Sequence, residues 1–151
     1  MTIYQRILAV VDLTEDSLEV GRRALGVAQS CGASDLEFLH VVEYVPVEPL
    51  SDSLMPAVQI ESELMIRART RLADLTRQLG VAETPWRVEA GNVKTEIVRV
   101  AKERRADLIV IGTRERRGLS ILVNLTEDTV LHAAPCDVLA VRLVPLPKAG
   151  A

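Results

Sequence analysis

Residues 107–112, Asp-Leu-Ile-Val-Ile-Gly, form a run of large apolar side chains that begins after an acidic residue and ends at a glycine. A continuous apolar run of this length is typical of a strand that is buried on both faces of a parallel sheet. Residues 7–11, Ile-Leu-Ala-Val-Val, repeat the pattern near the start of the sequence. We therefore expect two central strands of a parallel sheet that is covered by helices on both sides.

The segments around these two runs alternate between strand and helix patterns. Further strands are predicted at 36–42, 86–89 and 138–144, and apolar residues recur at helical spacing between successive strands. This alternation predicts a single doubly wound, Rossmann-like α/β domain with a five-stranded, mainly parallel sheet and four helices. We expect the domain to span 1–145 and residues 146–151 to form a short disordered tail.

The composition excludes several classes of function. The 151 residues include 18 basic and 21 acidic side chains, giving a net charge of -3, and only 3% aromatics, which argues against nucleic-acid binding. Cys31 and Cys136 lie far apart and outside any metal-binding motif, so both are expected to be reduced and buried, with no metal site. No segment has a membrane-spanning length and the N-terminus lacks a signal-peptide pattern, so we expect no membrane association and a cytoplasmic location.

Motifs of the common nucleotide-dependent enzymes and hydrolases do not occur in the sequence. It contains no GxxxxGK[ST], no GxGxxG and no GxSxG, and His40 and His132 have no spacing that indicates a metal site or a triad. Both histidines are expected to be structural. We expect no catalytic residues, because no base, nucleophile and oxyanion donor fall into a recognisable pattern.

Ligands of doubly wound sheets bind beyond the carboxyl ends of the strands, where the strand order reverses. The residues at these ends are Asp12 after the first strand, Val41 near the end of the second, and Gly112 with Thr113 after the fourth. Each also has a structural interpretation: Asp12 as the cap of a turn and Val41 as a core residue. These positions are the first candidates for a binding site.

Three segments resemble the universal stress protein family: RILAVVDLTEDS at 6–17, DLIVIGTRERRGLS at 107–120 and VLHAAPCDVLAVRL at 130–143. The resemblance spans nearly the whole chain and implies an adenine nucleotide alpha hydrolase-like fold. In nucleotide-binding members, the loop after the fourth strand is similar to G-x2-G-x9-G-[ST], in which backbone amides surround the phosphates. The resemblance also implies that Asp12 and Val41 match the family's adenine and ribose positions.

This sequence departs from the loop pattern that the resemblance implies. Gly112 matches the first glycine and Thr126 keeps the hydroxyl, but Glu115 and Leu125 replace the other two glycines. A side chain at Glu115 obstructs the close approach of backbone to phosphate, and its carboxylate repels the anion. Residues 127–128, Glu-Asp, also place negative charge at the start of the last helix, where a phosphate would otherwise bind.

The sequence supports a first hypothesis and two alternatives. The first is a non-enzymatic, stress-response or regulatory protein with a degenerate nucleotide loop and no cofactor, acting through a dimer and through protein partners that the sequence does not identify. The second is a family member that binds ATP or AMP, with Mg²⁺, and hydrolyses ATP slowly or not at all. Its candidate residues are Asp12, Val41, Gly112, Thr113, Arg114, Gly118 and Thr126. Of these, Gly118 lies outside the family spacing, and a role in a turn explains it without a ligand.

Two further features remain open at this stage. An anion could be bound by the side chains of Arg114, Arg116 and Arg117 instead of by a glycine loop. A solvent-exposed charged loop explains these residues as well. A third hypothesis makes residues 43–56, which contain three prolines, a lid over a small or lipid-like effector. The resemblance finally implies a homodimer that pairs its last strand across a two-fold axis, through Val138, Leu139, Ala140, Val141, Arg142 and Leu143.

Overall fold

The computed structural model describes residues 3–43, 54–114 and 126–143. Within these ranges strands and helices alternate along the chain. The strands are β1 (Arg6–Val10), β2 (Asp35–Glu43), β3 (Trp86–Gly91), β4 (Leu108–Arg114) and β5 (Asp137–Leu143), and the helices are α1 (Ser17–Cys31), α2 (Leu54–Gln78), α3 (Val93–Glu103) and α4 (Thr126–Ala133).

The sheet has the order β3-β2-β1-β4-β5, and each of the four strand pairs is parallel. This confirms the predicted doubly wound α/β fold. The chain leaves β1 toward β2 on one side and returns to pair β4 on the other side of β1, so the strand order reverses between β1 and β4. A ligand crevice is expected at the carboxyl ends of these two strands.

Each face of the sheet has its own apolar core. On one face α1 and α2 contribute Val20, Ala24, Ala68, Leu72 and Leu75, which pack against alternate residues of the strands. On the other face α3 and α4 contribute Ile97, Val100, Ala101 and Val130. The apolar runs of β1 and β4 supply residues to both cores, which is the physical reason for their continuous hydrophobicity.

Three predicted boundaries are wrong. Thr113 and Arg114 belong to β4 rather than to the following loop, because they continue the pairing with Arg142 and Leu143 of β5. Thr14 is of a residue type that favours the N-cap position, which predicts that it caps the first helix, but the N-cap of α1 is Asp16. The three prolines of residues 43–56 predict an irregular surface segment, but residues 54–56 already belong to α2, since a proline is tolerated in the first turn of a helix.

Ion pairs attach α3 to the edge of the sheet formed by β2 and β3. Glu37 of β2 is 3% exposed and contacts Arg87 of β3, with Nε to Oε1 at 2.6 Å, as well as Arg104 at the end of α3. Arg104 also pairs with Asp35, and Arg87 also contacts Glu103. The buried carboxylate therefore joins two strands to one helix.

Candidate functional site

The carboxyl ends of β1 and β4 lie next to each other. The register pairs Val10 with Ile111, so Asp12 and Gly112 follow within two residues on neighbouring strands. The structure therefore brings these two predicted site residues to the same edge of the sheet. The edge coincides with the reversal of strand order, where a ligand of this fold class binds.

Asp12 organises the turn between β1 and α1. Its Oδ1 atom accepts hydrogen bonds from the Thr14 amide at 3.1 Å, the Thr14 hydroxyl at 2.7 Å and the Ser17 hydroxyl at 3.1 Å. Leu13, between them, has a left-handed φ of 60°. The structural interpretation of Asp12 as the cap of a turn is thus confirmed, and its exposed position leaves the carboxylate at the edge of the sheet.

Val41 is a member of the core on the α3–α4 face. It is 6% exposed and packs in the same cluster as Val10 and Ile111. The core interpretation of this residue is therefore sufficient to explain it.

Gly112 packs closely against α1 and β5, on the α1–α2 face of the sheet. A Cβ atom on Gly112 would lie 2.8 Å from Val20 Cγ2 and 2.9 Å from Leu143 Cδ1. Its φ is not among the positive values of the described glycines, so close packing rather than an unusual backbone conformation requires glycine here.

The remaining candidates of the nucleotide loop follow Gly112 along β4, begin α4, or lie outside the described residues. Thr113 is half-buried and pairs in register with Arg142 of β5. Arg114 is the last residue of β4, and Thr126 is the first residue of α4. Glu115, Arg116, Arg117, Gly118 and Leu125 lie outside the described residues.

His40 is a residue whose contact the sequence did not predict. Its Nδ1 atom lies 2.8 Å from the carbonyl oxygen of Val11, at the start of the Asp12 turn. Burial lowers the pKa of His40, a nearby Arg71 lowers it further, and the bond to Val11 and the charge of Asp12 oppose the change. The ring is therefore neutral at pH 7. The contact depends on the register between β1 and β2, which no local sequence signal provides.

The sequence also missed the donors to Asp12. Thr14 and Ser17 supply them, and an Asp followed two residues later by Thr is a recognisable turn pattern that could have indicated the first of these bonds. Ser17 is 2% exposed, so its hydroxyl needs the partner that Asp12 provides.

The described residues contain no group of three or more side chains suited to hold a metal ion. Cys31 and Cys136 are free but half-buried rather than fully buried, which corrects the sequence expectation. Burial, followed by the charges of Asp137 and Asp107, raises the pKa of the Cys136 thiol to about 11. This thiol is protonated at neutral pH and is a poor nucleophile.

A groove of about 260 Å³ lies on the α1–α2 side of the Asp12 turn. Leu13, Thr14 and Leu18 form one wall, and Arg71 and Leu75 of α2 contribute to the other. Neither Val41 nor Gly112 lines it. The groove therefore adjoins the Asp12 turn without reaching Val41 or Gly112.

The last strand lies at an edge of the sheet. Among the described strands, β5 pairs only with β4, and Leu139 near its centre is 38% exposed. Arg142 is exposed and Val141 is buried.

In the helical part of the described chain, no helix is long and apolar enough to cross a membrane.

The family model described as "Universal stress protein family" matches residues 3–142. The chain is a member of the universal stress protein family. Among its relatives in the family is universal stress protein A homolog 1 of Coxiella burnetii, which is 37% identical over 139 residues, with 91% of this chain and 96% of that protein covered. Homolog 2 of the same organism is 31% identical over 146 residues, with 95% and 98% covered.

Solved structures of the family have the same fold. Universal stress protein UspA from Lactobacillus plantarum matches with a TM-score of 0.73 and 28% identity, covering 92% of this chain and 98% of that one. A universal stress protein described as a complex with cAMP matches with a TM-score of 0.62 and 23% identity, covering 91% and 96%. The family assignment and the fold therefore agree.

Proposed function

We propose that the protein is a non-enzymatic regulatory member of the universal stress protein family, one that forms a homodimer through β5 and does not hold ATP through the family's glycine loop. On the sequence expectation, the dimer acts in the cytoplasm on protein partners. The proposal combines the family assignment with the residues that stand at the phosphate positions.

The observation that carries the proposal is the packing of Gly112. This is the one glycine of the G-x2-G-x9-G spacing that the chain keeps, and a Cβ there would collide with Val20 Cγ2 at 2.8 Å. Val20 is buried and its β-branched side chain has little freedom to move. Close packing is therefore a sufficient reason for a glycine at 112, and its presence does not by itself indicate a phosphate.

The charge around the start of α4 supports the same conclusion. The helix begins at Thr126, and the residues at its second and third positions are acidic. Negative charge in the first turn is favourable for a helix, but it disfavours a further anion at the same end. Together with Glu115, these residues oppose the binding of a triphosphate.

Calorimetric titration with ATP and Mg²⁺ tests the missing glycine loop. We expect no saturable heat from the natural chain and measurable binding by the double variant Glu115→Gly, Leu125→Gly, which restores the family spacing. A matched control, Val123→Gly with Asn124→Gly, adds two glycines to the same segment outside that spacing. It should show no saturable heat of binding. Micromolar binding by the natural chain contradicts the proposal.

The exposed edge at β5 supports the homodimer. Strand edges with unpaired backbone groups invite association with another strand. Of the two edge strands, β3 carries Arg87 and Glu89, which are engaged in ion pairs with each other, whereas β5 is mostly apolar and exposes Leu139. The more apolar edge is the one that suits pairing with a second copy.

Sedimentation of two lysine variants tests the dimer. Leu139→Lys places a charge at the proposed interface, where its desolvation is costly, so we expect this variant to be monomeric. Ile66→Lys is the matched control and should stay dimeric, because Ile66 is 61% exposed and belongs to α2, which contacts β2 and β3 rather than the β5 edge. A dimer that survives Leu139→Lys, or a natural chain that sediments as a monomer, argues against pairing through β5.

Nucleotide binding remains the second candidate function. The adjacency of Asp12 and Gly112 at the reversal of strand order favours it, as does the solved family structure described as a complex with cAMP. Under this alternative the nucleoside is contacted by Asp12 and Val41. The rest of the ATP or AMP, with Mg²⁺, is contacted by Gly112, Thr113 and Thr126. Asp12→Ala should then weaken the binding of the nucleotide. An adenine nucleotide that stays with the protein through purification would favour this candidate over the first.

A further inference from the structure

The Val11 carbonyl marks the point at which β1 leaves the sheet. The Val11 amide still donates to the Leu39 carbonyl at 2.9 Å, as in a parallel ladder. The Val11 carbonyl, in contrast, accepts a hydrogen bond from the side chain of His40 at 2.8 Å. Because a carbonyl can only accept, this bond assigns a proton to Nδ1 of the imidazole.

The turn that follows is one that the sequence does not favour by itself. Leu13 has a φ of 60°, a left-handed conformation in which the Cβ atom of an L residue is crowded against the backbone. Such a conformation persists only where its surroundings determine it. The bonds from Thr14 and Ser17 to Asp12 act within the turn, whereas the His40 bond reaches it from a neighbouring strand.

We propose that His40 is a positioning residue for Asp12: its bond to the Val11 carbonyl fixes the start of the turn that directs the Asp12 carboxylate, and so couples this turn to the charge state of the imidazole. The inference does not depend on what the crevice binds, because it concerns the geometry of the turn alone.

The surroundings of His40 make the neutral ring the resting state. The side chain lies on the α1–α2 face, as the alternation with Phe38 and Val42 requires. Two charged groups act on the ring: Asp12 from the turn and Arg71 from α2. The neighbour of His40 on β3 is Val88, which is apolar. From α1, the buried residues on this face include Ser17 and Val20, neither of which is charged.

Protonation of Nε2 changes the charge beside the turn. It creates a cation close to Arg71, which repels it, and close to Asp12, which attracts it. Burial and Arg71 lower the pKa of His40 below its usual value of 6.5, so protonation requires a lower pH than it does for a free imidazole. The Nδ1–H bond to the Val11 carbonyl is present in both charge states, so protonation acts on the turn by adding a positive charge that attracts the Asp12 carboxylate.

The test is a pH titration of the intact chain by NMR, from about pH 8 down to the pH at which the His40 ring is protonated, following the backbone amides of Thr14 and Ser17 and both imidazoles. The chain has only two histidines, so His132→Asn assigns the His40 ring signal and serves as the matched control. His40→Asn keeps an N–H donor near the Nδ1 position but does not titrate, and His40→Leu removes the donor.

In the natural chain we expect the turn amides to titrate with the same midpoint as the His40 ring, below 6.5. His132→Asn should not change this, and His40→Asn should keep the amide positions but abolish their titration. His40→Leu should displace the amides and speed their hydrogen exchange roughly fivefold, the effect of losing one net hydrogen bond. The inference is overturned if the chemical shifts of the turn amides do not change at the midpoint of the His40 ring, or if His40→Asn fails to preserve their positions. Both outcomes can be measured even if His40→Leu does not fold.

Discussion

Gly112 lies where β4 packs against α1 and β5, and its lack of a side chain has a measurable consequence. Gly112→Ala brings a Cβ to 2.8 Å from Val20 Cγ2 and 2.9 Å from Leu143 Cδ1. Overpacking of this kind should lower the free energy of unfolding by about 1–3 kcal/mol in urea denaturation.

Gly26→Ala is the matched control within α1. A Cβ at Gly26 meets nothing within 4 Å, and alanine in a helix interior is favoured over glycine by roughly 0.5–1 kcal/mol. This variant should be more stable than the natural chain. If Gly112→Ala is as stable as Gly26→Ala, the packing explanation of Gly112 is wrong.

Single residues of the site were only partly predictable from the sequence. Asp12 could be placed at the end of a strand and given a turn-capping role, because that role depends on neighbours two and five residues away. The contact of His40 could not, since its partner lies 29 residues away and is set by the register of two strands. The collision at Gly112 likewise depends on how α1 crosses the sheet.

At the scale of elements, α3 is attached to β2 and β3 through Glu37. The Glu37 side chain is 4% exposed and contacts Arg87 and Arg104, each of which also has a second carboxylate partner. Glu37→Gln leaves two guanidinium groups without their shared buried charge. Because the second partners remain, we expect a loss of about 2–3 kcal/mol in the free energy of unfolding.

Glu103→Gln provides the matched control for this prediction. Glu103 contacts Arg87 and Arg99 in the same network, but its side chain is 51% exposed. An exposed ion pair contributes at most about 1 kcal/mol, so this variant should denature in urea close to the natural chain. Equal losses in the two variants would show that burial of Glu37 is not what makes the contact important.

Element boundaries were less predictable than the elements themselves. Residues 113–114 extend β4 because β5 continues to pair with them, and this partner is distant in sequence. The start of α1 shifts to Ser17 because Thr14 is engaged with Asp12 rather than with the helix. In both cases a contact beyond the local pattern decides where the element begins or ends.

At the scale of the whole molecule, the architecture could be predicted because its causes are local and repeated. Two buried apolar runs and an alternation of strands with amphipathic helices specify a parallel sheet, and right-handed crossovers leave few topologies. The pairing state of β5 could not be predicted from composition, because an exposed edge strand is compatible with either a free or a paired edge. The ligand state of the crevice depends on residues beyond those described, between β4 and α4.

Native mass spectrometry of the untreated, purified chain tests the central claim most directly, because one spectrum reports both the number of chains and any retained ligand. The account predicts a single dominant species with the mass of two chains and no added mass. A dominant species with the mass of one chain, or a dimer heavier by an adenine nucleotide per chain, would contradict the proposed regulatory dimer with a degenerate nucleotide loop.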